Sequence, residues 1–530
     1  MKRLMSVLLT CMLLFSLAAC GGKDTGTVPE NTETDQTQET PAPETLPEEV
    51  PQESEPVLLP LQVWKGSDYV EEWDDDFNQL IFASWEEIAS IDGYPELSAA
   101  LEELNTEQAV GGYSFWQEWL PYAQEEMAAN PEYFGGYTNE STYVIQRADS
   151  LVFSIREDYG SFTGGAHGNY GAMGWTFDTA TGARLALADV LTDTDSLDEI
   201  LAEKIPEKYT MIPFDSLDEM LAEYAPEDYT WTLGYQGITF YFSPYEIAPY
   251  AAGLLTATIW FDEMPELFYE DYLLAPEAGY AVALPDWNDV DVDLSAGDDT
   301  RDSLACWTYP GEYGEKYLTI SMNGQEYAEE TWCAFDITPY LVCVGEPGGE
   351  QFYLYVEGSG ENDYRTLYIY DLNEGMPQLI SDFSGAGFVG SWDSDAGTDG
   401  IYYVSVFNDP SEFTLGSKCN LLGTKTAYRN YTVDADGSLL PLNDVYDLEE
   451  DLDSIISTVP LEVTLLPQNT TETVPEGTEF FFLRTDNETW VDLVMTDGQE
   501  CRIVIEEIDW TPCINGIPEW ECFENLMYAG

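Results

Sequence analysis

Histidine is almost absent from this chain: His167 is the only one in 530 residues. A lone imidazole cannot supply a two-histidine zinc site, and it leaves one possible centre for a Ser-His-Asp triad. Basic residues are also scarce, 17 Lys and Arg against 101 Asp and Glu, a formal charge of −84. Such a surface repels phosphate backbones and anionic headgroups, so a nucleic-acid partner is not expected. Cationic proteins or peptides and divalent cations stay compatible, as does the plainer reading in which the acidity only maintains solubility. No Cys-x-x-Cys spacing occurs, so neither a structural metal nor a cofactor is expected. Past the N-terminus, no apolar run approaches the ~20 residues a membrane-spanning helix requires.

The N-terminus itself is patterned. Lys2 and Arg3 precede an apolar stretch from Leu4 to Leu17, and Leu17-Ala18-Ala19-Cys20 is followed by Gly21-Gly22. Residues 1–20 thus resemble a bacterial lipoprotein signal, in which Cys20 is lipidated and becomes the mature N-terminus. The expectation is a protein at a bacterial cell surface, held to the outer leaflet of the cell membrane by that lipid alone. Residues 21–60 are rich in Pro, Thr and Glu, and from 23 to 56 ten carboxylates face Lys23 as the only base, with no aromatic residue. Such a segment buries too little apolar surface to fold and reads as an extended, disordered tether.

The rest, with 44% hydrophobic and 14% aromatic residues over the whole chain, can build real cores. From about 61 to 135 the spacing of Phe77, Leu80, Ile81 and Trp85, and of Leu97, Leu101 and Leu104, predicts mostly helix. Gly111-Gly112 and Gly135-Gly136 are expected breaks. Strands follow at Thr142–Ile145 and Leu151–Ile155, and a hairpin is expected around Thr179-Ala-Thr-Gly182. Residues 195–210 recur at 215–230 as a duplicated short helix, each copy opened by a capping box, Ser196 with Glu199 and Ser216 with Glu219, and closed at Pro206 or Pro226. Two copies are too few for a solenoid.

Farther on, short strands alternate with Gly, Asp and Asn turns. The expected fold class is an α+β N-terminal domain over 61–275, an all-β middle domain over 276–452 and a small SH3-like C-terminal β-barrel over 453–530. Seven cysteines would remain after processing: Cys306, Cys333, Cys343, Cys419, Cys501, Cys513 and Cys522. One or two disulfides are expected at the cell surface, Cys513 to Cys522 being a candidate pair. Asp289-Val-Asp-Val-Asp293 mimics the start of a calcium loop, but Leu294 stands where the turn wants Gly and Thr300 where the bidentate Glu belongs.

Arg156-Glu-Asp-Tyr-Gly-Ser-Phe-Thr-Gly-Gly-Ala-His-Gly-Asn-Tyr-Gly171, followed by Trp175–Gly182 and Leu185–Leu191, resembles the extracellular domain of the RsiV-like family. Phe242-Ser-Pro-Tyr-Glu-Ile-Ala-Pro-Tyr-Ala-Ala-Gly253 matches the end of that domain. The resemblance implies an α+β ectodomain over roughly 61–275, which in one anti-sigma factor binds lysozyme and elsewhere accompanies a peptidoglycan deacetylase. This chain departs from both contexts: its N-terminus reads as a lipoprotein signal, and metal-dependent deacetylation needs two histidines. What the resemblance carries over is a binding domain, with Thr163, Gly164, Gly165, Ala166, His167 and Gly168 as its candidate ligand loop. Paired glycines permit positive φ and close backbone approach. A purely structural loop, with His167 satisfying a local acceptor, stays open beside the binding reading. No catalytic residue is expected. The expected role is non-catalytic binding of a cationic secreted protein such as lysozyme. The alternative is a peptidoglycan-binding accessory protein or an envelope glycan hydrolase, whose carboxylate pair cannot be picked by spacing from so many acids.

Overall fold

A computed structural model describes residues 57–214, 216–285, 289–294, 300–310, 316–331, 337–345, 349–360, 364–393, 400–449 and 453–528. The expected signal peptide, Cys20, most of the tether and Cys333 lie outside these residues. The described part is mostly β, an α+β region followed by many sheets.

The first sheet contains β1 (Val63–Trp73), β2 (Gln79–Ile88), β3 (Tyr137–Ala148), β4 (Val152–Phe162) and β5 (Asn169–Asp178), with α1 (Pro95–Ala129) between β2 and β3. The helix expected around Phe77–Trp85 is therefore a strand. Ile81, Ala83 and Trp85 alternate inward and are nearly inaccessible, while Phe77 sits in the preceding turn at φ +62°. The small Ala83 hid the two-residue period from a reading based on large apolar residues. Leu97, Leu101 and Leu104 do lie on a helix and are buried. That helix runs through Gly111-Gly112 because Gly112 makes room for Trp85: a Cβ there would lie 2.4 Å from the indole. Gly136, at φ +82°, marks the end of the connection into β3.

A second layer follows. α2 (Leu187–Val190), α3 (Leu197–Lys208) and α4 (Leu217–Leu221) precede an antiparallel three-stranded sheet of β6 (Thr230–Leu233), β7 (Gly237–Phe242) and β8 (Leu255–Trp260). The duplicated leucines Leu197, Leu201, Leu217 and Leu221 enter one core with Phe240 and Ile259. The capping boxes do not form. The Ser196 hydroxyl donates to Asp193, and Ser216 adopts φ +65°, so neither side chain caps its helix. Pro206 does not end α3, which continues to Lys208. The hairpin expected after β5 shrinks to a single Phe177–Arg184 bridge leading into α2.

Beyond residue 276, a four-stranded and a five-stranded antiparallel sheet enclose a core that includes Leu304, Ile320, Leu354 and Val356. Hydrogen bonding also runs across both expected domain boundaries. Gly390–Asp393 and Ile401–Val406 extend the first sheet, Val406 pairing with Val63. A twelve-stranded sheet joins Ala386–Phe388, Phe413–Cys419 and Lys425–Val433 to the strands beyond Ile455. Among the described residues no closed barrel is found, so the expected C-terminal barrel is instead part of a sheet that begins upstream. Among the described residues, six cysteines are buried thiols. The candidate Cys513–Cys522 disulfide is not formed: Cys513 points inward from Thr511–Ile514, and the Cys522 thiol, at the end of a helical turn, faces the Ile517 carbonyl at 3.9 Å.

Candidate functional site

The loop 163–168 joins β4 to β5, paired in register from Val152↔Asp178 to Ser161↔Asn169. Gly164 and Gly165 hold φ +88° and +94°, conformations that L side chains rarely adopt. Gly168 passes so close to the facing strand that a Cβ would lie 2.5 Å from the Ser161 carbonyl. Thr163, Gly164 and Gly168 are half-buried; Gly165, Ala166 and His167 are exposed.

His167 does not stand alone. Its ring stacks on Tyr250 with centroids 3.9 Å apart and planes inclined by 25°. Its Nδ1 lies 2.9 Å from the Gly168 carbonyl, which can only accept, so Nδ1 carries the proton there. The Tyr250 hydroxyl donates to the same carbonyl at 2.9 Å. Tyr170 meets Tyr250 edge-on at 5.5 Å and Tyr245 lies at the same distance. The two sequence blocks that carry the family resemblance, one around His167 and one from Phe242 to Gly253, therefore meet in one aromatic patch.

The second block is shaped for this contact. After β7, Tyr245 turns at φ +77° and is 64% exposed, and Pro249 opens the 3-10 turn that presents Tyr250. The Glu246 carboxylate accepts from the Ser243 amide at 2.5 Å, and burial raises its pKa above the usual range. Gly171 lets Ser243 and Tyr159 close in; a Cβ there would fall 2.3 Å from the Ser243 hydroxyl.

The chemistry available is that of contact. Among the described residues no hydrogen bond joins His167 to a carboxylate or a hydroxyl nucleophile, and no group of three or more His, Cys, Asp or Glu could hold a metal ion. The carboxylates of the calcium-like run diverge, Asp291 pairing with Lys208 and Asp293 with Arg301, each at 2.5 Å. A stacked imidazole and three tyrosines instead offer polar tips on apolar rings, the residue types enriched where proteins bind one another. The sequence reading placed His167 but missed Tyr170, Tyr245 and Tyr250 as its neighbours. The signal lies in the second motif block, whose Tyr245 and Tyr250 fold back onto the His167 loop.

The other end of β4 is held by a buried ion pair. Arg147 donates to Asp149 at 2.7 Å with both side chains fully enclosed, and also donates to the carbonyls of Tyr272, Leu274 and Gly234, at 2.9, 3.0 and 3.4 Å. Asp149 in turn accepts from the amides of Leu151 and Val152, fixing the turn from β3 into β4.

Comparison with known proteins adds a family of undefined role. A family model described as a protein of unknown function, DUF3298, matches residues 188–262. The match spans α2 to β8 and includes Tyr245 and Tyr250, but not the His167 loop. Among solved structures, the chain is similar to a DUF3298 family member from Bacteroides fragilis at 18% identity and a TM-score of 0.32, covering 39% of this chain and 94% of that one. It is also similar to a DUF3298 family protein from Pseudomonas aeruginosa at 16% identity and a TM-score of 0.29, covering 41% and 98%. No curated protein matches the chain.

Proposed function

We propose that this is a lipid-anchored bacterial surface protein whose α+β region binds, without catalysis, a cationic extracellular protein of the lysozyme kind. The observation that carries the reading is the convergence of two segments about eighty residues apart into one exposed aromatic patch, centred on the His167–Tyr250 stack. The same segments carry the resemblance to the RsiV-like ectodomain, from which lysozyme is taken as the partner. The strong net negative charge suits such a partner, because long-range attraction raises the association rate of opposite charges and complementary rims fix their orientation.

The test is calorimetric titration of the purified full chain with lysozyme across a salt series. Saturable binding that weakens as salt rises, and weakens again in Tyr250→Ala, is the expected result. Absence of binding at low salt, where the attraction is strongest, sinks the reading.

A further inference from the structure

The scarce cations of this chain are not evenly spread. Arg365, Lys418 and Lys425 line one 720 Å³ groove, with Glu449 as its one acid among the described residues. The groove lies where the chain leaves Ala386–Phe388, an edge of the twelve-stranded sheet, and passes through Val389 to Gly390–Asp393, an edge of the first sheet. It continues past Trp64, Val389 and Tyr428 into a second cavity of 420 Å³ whose lining includes Gln62, Asn408 and Asn430 and the acids Asp409 and Glu412. The result is an elongated depression with a cationic end, where an anionic group fits, and a second end of mixed amides and carboxylates.

Three features mark it as built. Arg365 is anchored by Glu357 at 3.0 Å and by the Phe388 carbonyl at 3.2 Å. Lys425 gives its ammonium to the neutral carbonyls of Leu421, Leu422 and Gly423. Lys418 is exposed, and its ammonium makes no ion pair or hydrogen bond among the described residues, although acids outnumber bases almost sixfold in the chain.

The walls are aromatic and depend on glycine. The Tyr402 ring lies so close across Gly390 that a Cβ there would be 1.8 Å from its hydroxyl oxygen. Tyr428 runs past Gly416 at 3.3 Å from the corresponding Cβ, and Arg365 crosses Gly387 at 2.4 Å. Tyr364 and Tyr402 remain 47% and 43% exposed, and Trp64 borders both cavities.

We infer that this groove binds an acidic saccharide, its carboxylate at the Arg365–Lys418 end and its rings along Tyr402, Tyr364 and Trp64. Aromatic rings with polar tips match the mixed apolar and hydroxylated surface of sugars, and fixed amides and cations supply orientation. The overall negative charge of the protein does not forbid this. At physiological salt the screening length is about 8 Å, so a ligand already inside the groove meets Arg365, Lys418 and Lys425 against Glu449 and the Glu357 partner of Arg365, and Lys418 is the cation left to pair with it. The site is distinct from the His167 patch, and neither assignment rests on the other.

The full chain is titrated with hexagalacturonate, with maltohexaose as the neutral oligosaccharide and acetate as the simple anion. Expected are saturable binding of hexagalacturonate at least tenfold tighter than of maltohexaose, and no displacement by equimolar acetate. Lys418→Gln, an exposed change that spares the fold, weakens hexagalacturonate about tenfold and leaves maltohexaose unchanged. Tyr402→Ala weakens hexagalacturonate by at least tenfold, with circular dichroism and thermal unfolding as folding controls. Equal affinity for the two oligosaccharides, no binding of either, displacement by acetate, or an unaltered Lys418→Gln protein each overturns the inference; the Lys418 result stands even if Tyr402→Ala does not fold.

Discussion

The His167 patch and the Lys418 groove are built by the same device and differ in the sign of their charge. In each, segments remote in sequence meet over glycines that let rings or backbones approach more closely than a Cβ permits. The patch segments 163–170 and 243–253 contain no lysine or arginine and one acid, Glu246, whereas the groove gathers three bases. An acid on the surface of this protein is the default and says little about function. A cation is informative, because most of the few available are committed to structure. Arg147 is locked to Asp149, and Arg484 and Arg502 together enclose Asp492 at 2.9 and 2.6 Å. Lys418 has no carboxylate, aromatic ring or carbonyl against its charge among the described residues, and it stands in the groove.

The sharpest way to break the comparison is to remove the support of one region. Asp149→Ala leaves Arg147 enclosed without its counter-charge at the far end of β4, the strand that leads to the His167 loop. Removing one partner of a buried pair costs about 3–5 kcal/mol, and urea unfolding should show a loss of that size. A loss below about 1 kcal/mol would mean that the carbonyls of Tyr272, Leu274 and Gly234 satisfy the guanidinium by themselves.

The groove has a corresponding test in pH. Burial lowers the Lys425 ammonium to about 8 from its ordinary 10.5. Between those values the unfolded chain holds the proton that the folded chain has released, so this group makes stability rise with pH across that window, by up to about 3 kcal/mol. The buried thiols Cys343 and Cys501, both pushed up to about 12 by burial, act in the opposite sense once pH passes 9. The contribution is therefore read as the difference between wild type and Lys425→Met, which should shift in favour of wild type from pH 8 to 10. A pH-independent difference would mean that Lys425 titrates normally.

The two regions were unequally legible in the sequence. The His167 loop stood out because paired glycines and a unique histidine coincide in six residues, and its α+β setting followed from strand and helix periodicity. The Phe77–Trp85 strand did not, because a small inward residue mimicked helical spacing. The Gly111-Gly112 break failed for a tertiary reason, the Trp85 indole. The capping boxes failed because Asp193 takes the Ser196 hydroxyl and Ser216 turns left-handed. The groove was illegible because its walls run from Trp64 to Glu449 and exist only once two sheets adjoin. Its one local trace was Lys418, Lys425 and Arg429 within twelve residues, a dense cluster for this chain.

Paired variants separate the regions further. Tyr250→Ala removes the stack on His167 and the donor to the Gly168 carbonyl, and should weaken lysozyme binding about tenfold, the equivalent of 1.4 kcal/mol, with hexagalacturonate titrations unaltered. Lys418→Gln should do the reverse. If either variant moves both titrations by similar factors, the two surfaces are one site or one folding unit, and the contrast between them fails.

The smallest effect is expected at His167 itself. Its imidazole contributes one stacked contact, and the Gly168 carbonyl it approaches is already served by the Tyr250 hydroxyl. The glycine conformations at 164 and 165 do not depend on it. His167→Ala should therefore cost about 0.5–1 kcal/mol, the worth of one aromatic pair, and lower lysozyme affinity a few-fold. His167→Phe keeps a ring against Tyr250 while deleting both nitrogens, and should restore most of that affinity. If the alanine and phenylalanine variants lose binding equally, Nδ1 or Nε2 is the contact and the stack is incidental. If either variant abolishes release of soluble fragments from purified cell wall by the wild-type protein, His167 takes part in hydrolysis and the non-catalytic reading of the patch is wrong.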